Sequence, residues 1–333
     1  MAASSQPHVL VARRIFPQVV ERLRECFEVD DNPTDTILER SQLVERLQGK
    51  AGAFITASER IDAALLDACP DLRAVCNMAV GFNNIDVQAC SARGVMATNT
   101  PGVLTETTAD LGFALLMAAA RRITEGERYL RQGRWTRWTY DMFIAPDVHG
   151  STLGILGMGR IGQAIARRGA LGFGMKVIYH NRTRLAPDLE APLAARWVEK
   201  TTLLRECDHL VLVLPYSDQT HHAIGAAELA LMKPAATLTN IGRGGLVDED
   251  ALAAALQAGR LAAAGLDVFE GEPHINPKLM ALPNAALTPH IGSASLRTRR
   301  AMADLAAANL IAALCGQRPP SLLNPEVFGL HSR

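Results

Sequence analysis

The stretch that most restricts what this chain can fold into is Thr152 to Arg184, TLGILGMGRIGQAIARRGALGFGMKVIYHNRTR. Its apolar opening, Thr152 to Leu156, reads as a short buried strand. The glycines Gly157-x-Gly159-x-x-Gly162 follow, and apolar positions at helical spacing, Ile161, Ile165 and Ala166, continue from them. A second strand, Met175 to Tyr179, ends at the polar cluster Asn181-Arg182-Thr183-Arg184. Strand, glycine turn, helix and strand within about thirty residues form the unit that binds dinucleotides. The first glycine permits the tight turn, the second lets the backbone approach a pyrophosphate, and the third lets helix and strand pack closely. The helix N-terminus adds free N–H groups and the positive end of a dipole.

The far end of the unit bears on which dinucleotide is held. About twenty residues past the glycines, an NAD enzyme usually places an acid that accepts hydrogen bonds from the ribose 2′-hydroxyl. Here that position holds Asn181, with Arg182 and Arg184 beside it. A carboxylate would repel a 2′-phosphate, whereas guanidinium groups pair with one. The expected cofactor is therefore NADP(H) in preference to NAD(H).

The remaining composition narrows the class. A chain of 333 residues, 48% hydrophobic and 20% charged, is ordinary for a globular protein and long enough for two domains. With 34 basic and 34 acidic residues there is no charge excess to favour nucleic acid or an anionic membrane. The opening MAASSQPHVLVARRIF lacks a long apolar segment behind a basic start, and Leu111 to Ala120 is too short to span a bilayer. A cytoplasmic location is expected. The six cysteines include no CxxC pair and none stands near a histidine at ligand spacing. His221-His222 lacks an evident third ligand, so no metal is expected.

Taken in order, strands are expected at His8 to Ala12, Ala53 to Thr56, Ala74 to Met78 and Gly94 to Thr98, with helices at Val19 to Phe27 and Asp62 to Ala68. This alternation argues for a first α/β domain with a parallel sheet. A long helix begins at Thr105, and its apolar spacing continues past Arg121-Arg122 to Leu130. Gly133 to Trp138 then opens an irregular stretch whose tryptophans suggest a contact between subunits. Beyond the fingerprint, strands are expected at His209 to Leu214, Thr237 to Ile241, Ala262 to Val268 and Ala285 to Thr288, with helices at Asp248 to Gln257 and Leu296 to Leu314. Several of these strands end in Gly, Pro, Asp, Arg or His, and ligands of open α/β sheets bind outside the carboxyl ends of the strands.

Three groups in those loops could carry chemistry. Arg243 stands between glycines after a buried strand and offers a fork for a carboxylate. His290 follows Pro289 at another strand end, and Glu272 could orient it, with Glu270 as the competing carboxylate. Reduction of a 2-oxo acid needs a proton donor for the developing alkoxide, a cation for the carboxylate and a hydride source. An imidazolium, a guanidinium and a nicotinamide supply these, and a carboxylate beside the imidazole would keep its donor available.

The motifs LGILGMGRIGQAIA, NIGRGGLVDEDAL, AAGLDVFEGEP and LTPHIGSAS, with AVGFNNID and NTPGVLTETTAD, resemble those of the D-isomer-specific 2-hydroxyacid dehydrogenases. They are most similar to bacterial glyoxylate/hydroxypyruvate reductases, a group that includes 2-ketogluconate reductases. The resemblance implies two Rossmann-like, doubly wound parallel-sheet α/β domains with an active-site cleft between them. Residues 1–103 with 294–333 would bind substrate, and 104–293 would bind the dinucleotide. It further implies Arg243 on the substrate carboxylate and carbonyl, His290 as proton donor paired with Glu272, and the N–H groups of Val80 and Gly81 on the carboxylate. On the cofactor side it implies Met158 to Ile161, including Arg160, at the pyrophosphate, and Asn181 to Arg184, including Thr183, at the 2′-phosphate. Pro215, Thr220, Ile241 and Asp267 would line the path of the adenosine and nicotinamide. Relatives form homodimers through the region before the fingerprint, from which Trp138 would reach the partner's active site. Asn83 departs from the aspartate common in relatives. The implied reaction is reduction of small 2-oxo acids by NADPH, of glyoxylate and hydroxypyruvate and also of 2-keto-D-gluconate. A phosphoglycerate dehydrogenase-like enzyme and a dinucleotide-sensing, corepressor-like protein are the alternatives. With the end near His331, the regulatory domain typical of the former is not expected.

Overall fold

The computed structural model describes residues 6–329. The first residues of the expected leader-free N-terminus and the end at His331 lie outside the described residues. Two compact units divide the chain: residues up to Leu104 with those from Ser295 onward, and Thr105–Ala294.

The first unit is built on five strands: β1 (His8–Val11), β2 (Glu28–Asp31), β3 (Gly52–Ile55), β4 (Ala74–Asn77) and β5 (Met96–Thr98). They lie in the order β2-β1-β3-β4-β5, every pairing parallel. Apart from β2, strands this short and apolar succeed because both faces are covered. Val9, Val11, Phe54 and Cys76 pack on one face with the helix Leu296–Leu314, and Leu10, Ile55 and Val75 on the other with Leu43 and Leu65. Gly52 lets that long helix lie close, because a Cβ there would stand 2.7 Å from Leu310 Cδ1. Sequence reading passes over β2 and the helix Arg40–Leu47. Both are polar: β2 is EVDD at a sheet edge, and the helix buries only Leu43 and Leu47.

The second unit holds β6 (Thr152–Leu156), β7 (Lys176–His180), β8 (Arg196–Trp197), β9 (His209–Leu212), β10 (Thr237–Asn240), β11 (Ala263–Leu266) and β12 (Ala285–Leu287). Their order is β12-β11-β10-β9-β6-β7-β8, again all parallel. The strand order reverses between β6 and β9. That switch point, at the carboxyl ends of the strands, is where doubly wound sheets open a crevice for ligands. The helix Thr105–Ala120 lies against this sheet through glycine contacts: a Cβ on Gly265 would stand 2.8 Å from the Leu115 carbonyl oxygen. The expected continuous helix to Leu130 is in fact two. Arg122 takes a left-handed φ of +52° and its guanidinium grips Glu125 at 2.8 and 2.9 Å, starting a new helix, Ile123–Arg131. Among the described residues no helix is long and apolar enough to cross a membrane.

Candidate active site

The fingerprint assembles as a turn whose glycines do different work. Gly157 has φ +105°, and a Cβ there would lie 2.8 Å from the Val213 carbonyl carbon, so β6 and the exit of β9 meet closely at the switch point. A Cβ on Gly162 would lie 2.5 Å from the Gly157 carbonyl oxygen. Gly159, the residue preceding the helix Arg160–Arg167, would place its Cβ in open space with no atom within 4 Å. That opening, ahead of unsatisfied helix N–H groups, fits a pyrophosphate. Of the residues expected there, Met158 is fully buried, so only its backbone faces the turn, while Arg160 is exposed and Ile161 half-buried.

Behind β7 the four residues of the polar cluster divide their labour. The Asn181 Oδ1 accepts the Met158 N–H at 2.7 Å and braces the glycine turn from behind. Arg184 forms a two-pronged ion pair with Glu190, at 2.9 and 2.7 Å. The Tyr179 hydroxyl donates to the same carboxylate at 2.5 Å and accepts the Leu185 N–H at 2.8 Å. Arg184, then Tyr179, hold the Glu190 carboxyl down to about 2. Arg182 and Thr183 are exposed, and among the described residues Arg182 makes no ion pair.

The expected chemical groups come together in the same unit. After β10, the buried Asn240 accepts the Gly242 N–H at 3.0 Å and donates to the Arg243 carbonyl at 2.8 Å, shaping the turn that presents Arg243. The next residue could only be glycine: a Cβ on Gly244 would fall 1.8 Å from the Phe269 carbonyl carbon. This tight passage sets the Arg243 loop against the loop carrying Glu272. Burial pulls the Arg243 pKa down while the charge of Glu272 opposes it; a guanidinium stays protonated regardless.

Glu272, not Glu270, meets the histidine. One of its oxygens accepts the Phe269 N–H at 2.9 Å and the other lies 2.7 Å from His290 Nδ1. Burial pushes the Glu272 carboxyl up, but the bond to His290, the Phe269 N–H and the charges of His290 and Arg243 outweigh it and hold the group below the usual carboxylate range. His290 stands at φ +53°, its N–H shared between the carbonyls of Asp267 (2.9 Å) and Thr288 (3.0 Å). Asp267 is buried and accepts from the Thr288 hydroxyl and from the N–H groups of Ile291 and Gly292, at 2.7, 2.8 and 2.8 Å. It therefore anchors the histidine loop.

The other expected residues are placed less directly. Thr220 closes the turn after β9 by donating to the Pro215 carbonyl at 3.0 Å. The Ile241 side chain points into the core, where a Cβ on Gly112 would stand 2.7 Å from it, leaving only its backbone for a ligand. In the first unit, the Asn99 and Asn77 side chains take up the Val80 and Gly81 carbonyls at 2.8 and 3.0 Å, fixing that turn. Trp138 is 72% exposed. Sequence reasoning missed Asn240 and the anchoring work of Asp267. The available signal was a polar side chain ending an otherwise apolar strand, as in TLTN.

Residues 113–292 match the family described as D-isomer specific 2-hydroxyacid dehydrogenase, NAD binding domain. The chain is 47% identical to the glyoxylate reductase of Thermococcus gammatolerans, over 97% of each chain. It is 45% identical to the glyoxylate reductase of Pyrococcus horikoshii, again over 97% of each. Among solved structures it is similar to the NADPH-dependent glyoxylate/hydroxypyruvate reductase of Sinorhizobium meliloti in complex with NADP and malonate. The TM-score is 0.86 at 37% identity, covering 97% of this chain and 98% of that one. With a glycine turn at the switch point and the Arg243, Glu272 and His290 set on later strand ends, this chain belongs to the D-isomer-specific 2-hydroxyacid dehydrogenases.

Proposed function

We propose that this chain is a cytoplasmic, homodimeric, NADPH-preferring reductase of small 2-oxo acids, converting glyoxylate to glycolate and hydroxypyruvate to D-glycerate, with 2-keto-D-gluconate as a further substrate. The observation that carries the reading is the 2.7 Å pair of Glu272 with His290 Nδ1, next to a buried-side guanidinium at Arg243. Relatives named as glyoxylate reductases support the substrate class.

Arg243 takes the substrate carboxylate in a forked, charge-assisted pair. Because Glu272 occupies Nδ1, the nitrogen of His290 left to act is Nε2, which donates its proton to the keto oxygen as negative charge develops there. The ionised Glu272 fixes the tautomer and orientation of the imidazole through its contact with Nδ1. After transfer His290 is neutral and regains a proton from solvent. The dinucleotide, when bound at the fingerprint, supplies the hydride for the carbonyl carbon. General acid catalysis of this kind contributes about 10²–10⁴-fold. The cofactor preference rests on the missing acid after β7 and on the unpaired Arg182.

A spectrophotometric panel of NADPH and NADH against glyoxylate, hydroxypyruvate, pyruvate and 2-keto-D-gluconate tests both parts. NADPH with glyoxylate or hydroxypyruvate is expected to be fastest, and His290→Ala to lower kcat by about 10² or more. A clear NADH preference removes the cofactor reading. Turnover of His290→Ala within a few-fold of the parent removes the mechanism, and silence with every 2-oxo acid removes the enzyme in favour of a binding protein.

A further inference from the structure

A second cluster of imidazole and carboxylate lies in the same unit, outside the groups used above. His221 and His222 stack with ring centroids 3.8 Å apart, and His222 Nε2 lies 3.1 Å from Glu270 Oε2. One ligand atom from each of His221, His222 and Glu270 falls within 4.8 Å of the others. The third ligand that the sequence does not reveal is thus Glu270, brought from a loop nearly fifty residues away. We propose that His221, His222 and Glu270 form a surface site for a borderline transition-metal dication, zinc foremost.

Several features fit a ligand set better than a chance surface pair. The Tyr216 hydroxyl sits 3.1 Å from His221 Nδ1, which leaves His221 Nε2 as the free nitrogen. Metal-binding histidines are oriented in this way, through a partner on the other ring nitrogen. Both backbones are pinned beforehand. The His222 N–H donates to the Gly245 carbonyl at 2.8 Å while the residue holds φ +48°, and the Glu270 N–H donates to Glu249 at 2.7 Å. The side chains are therefore close to position before any ion arrives, which lowers the cost of ordering them. Two imidazole nitrogens and one carboxylate oxygen suit zinc and its neighbours, whereas magnesium and calcium prefer all-oxygen sets. Three protein ligands leave a fourth position for water. The bound ion would tie the Pro215–His222 turn to the Phe269–Pro273 loop, and so to the backbone beside Gly244 and Glu272.

The test uses the untagged full chain, stripped with a chelator and titrated with zinc chloride against a chromophoric competitor, without substrate or dinucleotide. Failure of this proposal is thereby separable from failure of the reductase reading. One equivalent of zinc is expected, with no comparable uptake of magnesium. His222→Ala and Glu270→Gln should each weaken binding by more than tenfold, and Tyr216→Phe by about tenfold or more, the usual cost of losing an orienting partner. Melting curves of the metal-free variants check the fold, with His221→Gln replacing any variant that fails to fold. Unchanged binding in the ligand variants, loss of binding in Cys315→Ser instead, absence of zinc uptake, or a preference for magnesium each overturns the proposal.

Discussion

Arg182 and Arg184 stand two residues apart and face different partners. Arg184 is committed to Glu190, whereas Arg182 projects from the end of β7 without an ion pair among the described residues. A charged hydrogen bond is worth about 1.5–3 kcal/mol, or about ten- to a hundredfold in affinity. Arg182→Ala should therefore raise the KM for NADPH at least about tenfold and leave that for NADH nearly unchanged. Arg184→Ala should shift neither by more than a few-fold, and steady-state kinetics with both cofactors separates the two. Equal effects of the two substitutions would remove Arg182 as the discriminating residue. The Glu190 carboxyl, at about 2 in the folded chain, lies below its unfolded value of about 4.3. In that window the unfolded chain binds the extra proton, so acid favours unfolding. The stability Glu190 contributes is whole above about pH 4.3 and lost as pH falls towards about 2. Melting temperature against pH should fall less steeply in that window for Glu190→Gln; parallel curves would contradict the assignment. From the sequence the two arginines look alike, because Glu190 lies beyond a proline turn and becomes a partner only once its loop folds back on Tyr179.

At the level of the element, the fingerprint turn separates glycines that keep the fold from the one that leaves room for a ligand. Gly162→Ala forces a Cβ to 2.5 Å from the Gly157 carbonyl, and such overpacking costs about 1–3 kcal/mol. Gly159→Ala meets nothing within 4 Å, and its φ of −80° suits any residue. Gly159→Ala should therefore melt close to the parent yet bind dinucleotide much more weakly, while Gly162→Ala should melt several degrees lower. Thermal melts paired with dinucleotide titration check both, and a destabilised Gly159→Ala would show that the turn is closed where it has to be open. The fingerprint was legible because strand, turn and helix are all local. The buried strands were legible too, since apolar runs bounded by Gly, Pro and Asp announce themselves. The edge strands β2 and β8 and the helix Arg40–Leu47 were not: β2 and the helix are polar, β8 is only two residues long, and all three owe their order to the elements beside them. The break at Arg122 escaped for a related reason: apolar spacing runs through it, and only the left-handed φ and the grip on Glu125 end the first helix.

For the molecule as a whole, periodicity could not say which sheet the last helix covers. Leu296–Leu314 packs on strands laid down more than two hundred residues earlier, and nothing local in an alanine-rich helix encodes that return. The proposed catalytic set shows the same division. Arg243, Glu272 and His290 were each visible at a strand end, but position alone left Glu270 beside Glu272; the family resemblance favoured Glu272, and Glu272 is the carboxylate that meets His290. What the second unit leaves uncovered bears on assembly. Ile123, Leu130, Trp135, Trp138, Tyr140 and Ile144 are all exposed, on one helix and the loop after it. Tyr129 of that helix meets Phe143 of the loop edge to face, with ring centroids 5.3 Å apart, so helix and loop form a single surface. Large apolar groups gathered this way suit the dimer interface proposed above. Sedimentation at micromolar concentration should accordingly give twice the chain mass. If Trp138 completes the partner's substrate pocket, Trp138→Ala should raise the KM for the 2-oxo acid several-fold without changing the KM for the cofactor, and the dimer should persist through the remaining apolar groups. A monomer at that concentration would remove the interface, and an unchanged substrate KM in a dimeric Trp138→Ala would confine the tryptophan to assembly.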